Sequence, residues 1–207
     1  MAKKLEAPYS IKKLPEQFLY DAKNIEFSEA TYYVSYPEFI EYFKGIEKLS
    51  RHNLIIGINF TYGWMPTILN FKSLELEKPL EILNNAKKGI VPDVNELSIL
   101  KRTFNNSLVG SSKLLHFVNP EKFAILDSRV WYYLTRSSIP NDEKISTAYL
   151  EYLSYCEFLA NQQEYNSIHE SIERKIEQKM SKLRSVELVM YTKGEKPKRP
   201  KMEKALV

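Results

Sequence analysis

Apolar residues recur every three or four positions along much of this chain, which is the spacing of one face of an α-helix. The longest series lies near the C-terminus and predicts an apolar stripe about six turns long, most simply the packing face of one helix. Its members are Ile168, Ile172, Ile176, Met180, Leu183, Val186 and Met190. A second helix, from about 141 to 163, precedes it with Cys156 on its inner side. We predict that the two helices pair antiparallel.

Further helix boundaries are indicated earlier in the chain. Ser35-Tyr36-Pro37-Glu38 resembles a capping box that opens a helix, and Asp93 with Glu96 forms a second one. Pro15 begins a short helix, Thr31 to Val34 is a possible extended stretch, and residues 61–66 form an aromatic turn. Pro66, Pro79 and Pro92 mark helix starts or stops.

Glycine is scarce, with six residues in 207, and no Asn-Gly or Asp-Gly hairpin turn is present. A hydrophobic fraction of 43% is sufficient for a packed core. We therefore predict an all-α, compact multi-helix domain over residues 1–192, in one lobe or two. Residues 193–207 hold six basic and two acidic side chains and predict a disordered tail, either simply solvated or in non-specific contact with phosphate.

Composition excludes several classes of site. One cysteine cannot form an intramolecular disulfide, a thiolate zinc site or an iron–sulfur cluster, and His52, His116 and His169 lack metal-ligand spacing. The apolar run from 54 to 60 is too short to span a membrane, and no secretory leader is evident. We expect a cytoplasmic protein without a metal or other cofactor. Its oligomeric state is left open.

The segment 105–134 carries the residues that favour a chemical role. Gly110 is expected to end one helix, Ser111 or Ser112 to cap the next, and Lys113 to lie in that helix's first turn. A lysine there opposes the helix dipole, and such local conflicts often mark function. Asp127 follows the apolar residues 123–126 and is expected to cap a helix at 128–134, which leaves its second oxygen free.

Two short motifs resemble a known family. Leu108-Val109-Gly110-Ser111-Ser112-Lys113 is similar to the hairpin of the helix-hairpin-helix DNA glycosylases, and Leu126-Asp127-Ser128-Arg129-Val130 to the aspartate motif of their 8-oxoguanine DNA glycosylase branch. The resemblance implies a helix-hairpin-helix segment at 105–134 and excision of a damaged base flipped from duplex DNA. Lys113 would attack the sugar and form a Schiff base, with Asp127 assisting proton transfer.

The resemblance also implies residues that would contact DNA and the flipped base. Backbone N–H groups of 110–112 would bind a phosphate. Basic side chains would contact the DNA backbone, and aromatic side chains would line the pocket for the flipped base. His116 could instead be half-buried on a helix-end carbonyl, and the aromatic residues could be core. The expected DNA contacts are Gly110, Ser111, Ser112, Lys101, Arg102, Arg129, Arg136 and His116, and the expected base pocket is Trp64, Tyr62 and Trp131.

Three functions are consistent with the sequence. The first is a DNA glycosylase and abasic-site lyase in DNA repair. The second is a nucleic-acid-binding module that has lost the chemistry. The third is an interaction protein, of a defence system for example, in which Lys113 and Asp127 form a structural ion pair.

Overall fold

A computed structural model describes residues 11–27, 32–65, 67–140 and 142–194. Over these residues the protein is all-α, as predicted: it has helices and one isolated β-bridge, between Phe71 and Phe104, but no strand. None of the described helices has both the length and the apolar character needed to cross a membrane. The helices are α1 Pro15–Lys23, α2 Tyr32–Lys44, α3 Arg51–Trp64, α4 Glu77–Lys87, α5 Val94–Thr103, α6 Leu108–Val118, α7 Ser128–Thr135, α8 Ile145–Ala160, α9 Tyr165–Ile176 and α10 Lys182–Lys193.

Helix α10 is enclosed by several other helices of the described fold. It packs against α1, α7, α8 and α9, and every residue from 183 to 190 is buried. Side chains from all ten described helices join one apolar cluster. Because α10 is surrounded, even the charged side chains of its middle turns lie inside the protein.

The predicted six-turn helix at 168–190 is wrong, because the chain breaks between α9 and α10. Glu177 has a left-handed conformation with φ 57°, and Ser181 caps α10 by accepting a hydrogen bond from the Arg184 N–H at 3.1 Å. The Glu173 carboxylate accepts the Met180 N–H at 3.0 Å inside the break. Apolar spacing continues across the interruption, so periodicity alone does not detect it. The helix expected at 141–163 is confirmed as α8, and Cys156 is buried in it.

Helix α2 starts earlier than predicted, so Pro37 lies inside it and Ser35 is not its cap. The expected extended stretch is wrong for residues 32–34, which are helical, while Thr31 lies outside the described residues. Pro37 has no N–H to bond the carbonyl of Tyr33, four residues before it. Gln178 donates to that carbonyl at 3.2 Å from its side chain. A residue far away in the sequence therefore supplies the hydrogen bond that Pro37 cannot make inside the helix.

Other boundaries follow local hydrogen bonding. Helix α1 begins at Pro15, and the box of Asp93 and Glu96 opens α5, with Glu96 N to Asp93 Oδ1 at 2.8 Å. The aromatic turn expected at 61–66 is wrong over 61–64, which form the last turn of α3. Pro66 and the tail residues 195–207 lie outside the described residues, whereas Lys193 is the last residue of α10.

The junction between α5 and α6 also differs from expectation. The chain turns at Asn105 and Asn106, with φ 56° and 51°, and Ser107 caps α6 by accepting the Gly110 N–H at 3.2 Å. Gly110 is therefore inside the first turn of α6, neither Ser111 nor Ser112 is a cap, and Lys113 lies in the second turn. The sequence placed this boundary too late because asparagine, like glycine, tolerates left-handed backbone.

Candidate active site

A cavity of about 300 Å³ opens where the end of α3, the middle of α6, the start of α7 and the inner face of α10 meet. This volume is at the lower end of the range for small-molecule sites. Two cations and two carboxylates share it with apolar and aromatic side chains. The lining residues are Trp64, Met65, Lys113, Ile125, Asp127, Arg184, Glu187 and Tyr191.

Lys113 and Asp127 meet in this cavity. The Lys113 Nζ lies 3.4 Å from Asp127 Oδ2, and the two side chains retain 11% and 19% of their exposure. Asp127 is the N-cap of α7, as predicted, since its Oδ1 accepts the Arg129 N–H at 3.0 Å. The cap bond orients the carboxylate, so its second oxygen points at the lysine amine.

Ser112 links the backbone positions next to Lys113 and Asp127. Its Oγ accepts the Leu126 N–H at 3.0 Å and lies 3.3 Å from the Leu126 carbonyl oxygen. Ser112 precedes Lys113 and Leu126 precedes Asp127, so this bridge sets the spacing of the pair. With no residual exposure, the Ser112 side chain is part of the core and not of a DNA-facing surface.

Trp64 alone of the three expected base-pocket aromatics reaches the cavity. Its ring centroid lies 5.6 Å from the Lys113 Nζ and 5.6 Å from the Arg184 guanidinium carbon. Tyr62 is buried and donates to the Phe104 carbonyl at 3.0 Å, and Trp131 is buried behind the start of α7. The cavity thus has one indole wall, with a face that can attract cations or stack on a flat ring.

Arg184 and Glu187, one turn apart on α10, supply the other two charges of the cavity. Arg184 Nη1 donates to Glu187 Oε2, and the two residues are 3% and 2% exposed. The Arg184 guanidinium also lies 4.8 Å from the Tyr36 ring centroid. Burial raises the pKa of Glu187 to about 7 and Asp127 adds to the rise, although Arg184 and Lys113 oppose it.

Sequence reasoning missed Arg184 and Glu187. Each directly follows a member of the predicted apolar stripe, Leu183 or Val186. A charged pair three residues apart usually lies on the solvent-exposed surface of a helix. The one indication in the sequence is that apolar residues precede and follow the pair. Met65, Ile125 and Tyr191 carried no signal beyond their apolar or aromatic character.

His116 is a buried structural residue in this fold. With no exposure, it bonds through Nδ1 to the Phe123 carbonyl at 2.6 Å and through Nε2 to the Tyr36 hydroxyl at 2.8 Å. Burial, reinforced by Arg184, lowers its pKa to about 3, so the ring is neutral, donates to Phe123 and accepts from Tyr36. This bond network holds His116 beneath the segment that leads to Asp127, which agrees with the alternative of a histidine bonded to a backbone carbonyl and leaves no surface for a DNA contact.

The other expected DNA contacts divide into exposed and enclosed groups. Lys101 is 2% exposed and donates to the Asp142 carbonyl at 3.0 Å, whereas Arg102 and Arg136 face solvent. Arg129 is half-buried, with its guanidinium 4.3 Å from the ring centroid of Tyr191 on the cavity wall.

The N–H groups expected to bind phosphate at the start of α6 are used within the helix. The Gly110 N–H bonds the Ser107 hydroxyl, and the Ser111 N–H bonds the Ser107 carbonyl at 3.2 Å. Ser111 is 1% exposed. These donors therefore have protein partners, and the structure does not present them to a ligand.

Gly110 is required by the close approach of Tyr62. A Cβ at Gly110 would overlap the Tyr62 hydroxyl, whereas one at Gly63, also helical, meets open space. We expect Gly110→Ala to lower the free energy of unfolding by about 1–3 kcal/mol through overpacking. Gly63→Ala, the matched control, should raise it by about 0.5 kcal/mol or more. Denaturant midpoints measure both, and equal shifts would contradict the close contact.

Within the described residues, no group of three or more histidine, cysteine, aspartate or glutamate side chains is arranged to hold a metal ion. Comparisons with protein-family models, curated proteins and solved structures find no match. The chemistry of the cavity is therefore the basis on which a function can be inferred.

Proposed function

We propose that this protein is a DNA glycosylase and abasic-site lyase that uses Lys113 as its nucleophile. The observation that carries the proposal is the approach of Lys113 Nζ to Asp127 Oδ2, 3.4 Å apart, in a cavity with an indole wall. An adjacent general base, here an oriented carboxylate, is one of the arrangements that activate a nucleophile. The resemblance of the aspartate motif supports the same chemistry, whereas the residues that resemble the hairpin lie within α6.

The reaction uses each of these groups in turn. Asp127 takes a proton from the Lys113 ammonium, and the free amine forms a bond to the sugar C1′ as the bond from C1′ to the base breaks. The electron pair of the broken bond leaves with the base. The C1′ to O4′ bond then breaks and its electron pair goes to O4′, which takes up the proton that the attached nitrogen loses. The sugar ring opens, and the nitrogen and C1′ are joined as a protonated Schiff base.

The cavity is suited to a base that has left the DNA stack. Enzymes that act at the glycosidic bond receive the flipped base in a pocket and hold it by stacking and hydrogen bonds. Trp64 offers the stacking face, and Arg184 and Glu187 offer polar groups opposite apolar ones. The exposed side chains of Arg102 and Arg136 are available for phosphate contacts.

A structural ion pair is the main competing explanation of Lys113 and Asp127. Such a pair needs no cavity, no adjoining stacking surface and no second pair of charges. All three surround Lys113 and Asp127 in this protein. The arrangement therefore favours a reacting pair.

Borohydride trapping on a duplex with an abasic site tests the proposal. We expect a covalent adduct between protein and DNA, and peptide mapping should locate it on Lys113. A panel of duplexes with 8-oxoguanine, uracil or alkylated bases then defines the base that is excised. No adduct under conditions in which a control lyase reacts, or an adduct on another lysine, would overturn the proposal. Salt-dependent DNA binding without an adduct would instead indicate a non-catalytic binding module.

A further inference from the structure

Glu187 lies in the same cavity as Lys113 and Asp127 but comes from a different part of the chain. It is 2% exposed, and within the described residues the hydrogen bond to its carboxylate comes from Arg184 alone. Its ionisation responds to both Lys113 and Asp127, which places the three groups within electrostatic reach of one another. The proposed attack by Lys113, assisted by Asp127, does not involve Glu187.

The departing base needs a proton that the other cavity groups are poorly placed to supply. Lys113 and Asp127 are occupied with the attack, and an arginine such as Arg184 keeps its protons at any physiological pH. Trp64, Met65 and Ile125 carry no acidic proton, and the phenol of Tyr191 is a weaker acid than a carboxyl group. Glu187 is the cavity group best able to donate.

We propose that Glu187 is the general acid that protonates the base as it leaves, and that the substrates are neutral bases, oxidised or deaminated, which leave poorly without that proton. This inference rests on the proposed function. The proton passes from the Glu187 carboxyl to a ring nitrogen or an exocyclic oxygen of the base while the C1′ bond breaks. Glu187 becomes a carboxylate, which Arg184 stabilises. Alkylated bases that already carry a positive charge do not need this step.

The surroundings of Glu187 leave a large fraction of it protonated near neutral pH and hold its direction. Burial raises its pKa to about 7. Arg184, fixed against the rings of Tyr36 and Trp64, keeps the carboxyl group oriented in the cavity. The charged or titratable groups that act on Glu187 from its own helix, α7, α6, α2 and α8 are Arg184, Asp127, Lys113, Tyr36, Tyr152 and Cys156.

The test compares Glu187→Gln on two duplexes, one with the excised base and one with a preformed abasic site. Excision in single turnovers should fall by about 10²-fold or more, because glutamine cannot donate an acidic proton. Trapping at the abasic site should stay at the wild-type level, because no base leaves there. Glu173→Gln is the matched control, since Glu173 is also buried but lies outside the cavity. The control should excise normally.

Two further readouts separate proton donation from a structural role. Wild-type excision should decline as the pH rises past about 7, where Glu187 loses its proton. Glu187→Asp should retain that decline, and Glu187→Gln should lose it. An analogue of the excised base that leaves more readily should raise the excision rate of Glu187→Gln by a larger factor than that of the wild type.

The outcomes distinguish this inference from the proposed function. Failure of the wild type to trap abasic DNA rejects the proposed function. If Glu187→Gln traps and excises normally, the role of Glu187 is rejected and the proposed function stands. The same conclusion follows if this variant loses excision and trapping equally. If Glu187→Gln does not fold, the wild-type pH profile and its dependence on the leaving base decide the matter, because a flat pH profile would overturn the inference.

Discussion

Lys113→Gln is expected to abolish the covalent adduct with abasic DNA. Glutamine is close to lysine in length, and its amide can still donate a hydrogen bond to Asp127 Oδ2, but it has no amine that can form a Schiff base. The measurement is borohydride trapping of purified wild type and variant on the same duplex. We expect adduct formation to fall to the background of the control reactions.

Lys88→Gln is the matched control for this variant. Lys88 is exposed at the end of α4 and does not line the cavity. Its variant therefore loses the same positive charge but keeps the proposed nucleophile. It should trap DNA as the wild type does. If Lys113→Gln still forms the adduct, Lys113 is not the nucleophile. Retained salt-dependent binding by Lys113→Gln would show that the chemistry was removed and the DNA contacts were not.

Asp127→Asn is expected to slow Schiff base formation by about 10²–10⁴-fold, the usual contribution of a positioned acid or base. Asparagine caps a helix as well as aspartate does, so the bond from the Arg129 N–H and the start of α7 should persist. The amide cannot take the proton of the Lys113 ammonium. The rate of adduct formation at an abasic site, measured with protein in excess, reports this step.

Asp93→Asn provides the same substitution at a second N-cap. Asp93 caps α5 and does not line the cavity, so its variant should form the adduct at the wild-type rate. Comparable thermal unfolding of the two variants would show that capping is preserved in both. A wild-type rate for Asp127→Asn would mean that Asp127 serves only as a helix cap.

Features governed by short-range hydrogen bonds could be read from the sequence. The Asp93 capping box, the start of α1 at Pro15 and the capping role of Asp127 all depend on groups within four residues of one another. Such bonds form in the same way whatever the rest of the chain does. The overall α class follows similarly from repeated apolar spacing.

The mistaken boundaries share a dependence on distant partners or on unusual backbone. Pro37 lies within α2 because Gln178 bonds the carbonyl that proline leaves free. Helix α6 begins before Gly110 because Asn105 and Asn106 adopt left-handed backbone and Ser107 caps the helix. Glu177 takes a left-handed conformation that its residue type does not predict. The partner of the Tyr33 carbonyl lies far from it in the sequence, and residue type alone does not determine where the backbone becomes left-handed.

The candidate site shows the same division. Lys113 and Asp127, 14 residues apart, could be proposed from one continuous segment because a helix, a turn and a cap determine most of their relation. Arg184 and Glu187 could not, since a charged pair on a helix ordinarily faces water. Only the enclosure of α10 by its neighbouring helices turned that pair inward. The sequence alone thus determined the helical class, the caps at Asp93 and Asp127, and the proximity of Lys113 to Asp127. Tertiary packing decided which other charges line the cavity, because burial depends on the whole fold.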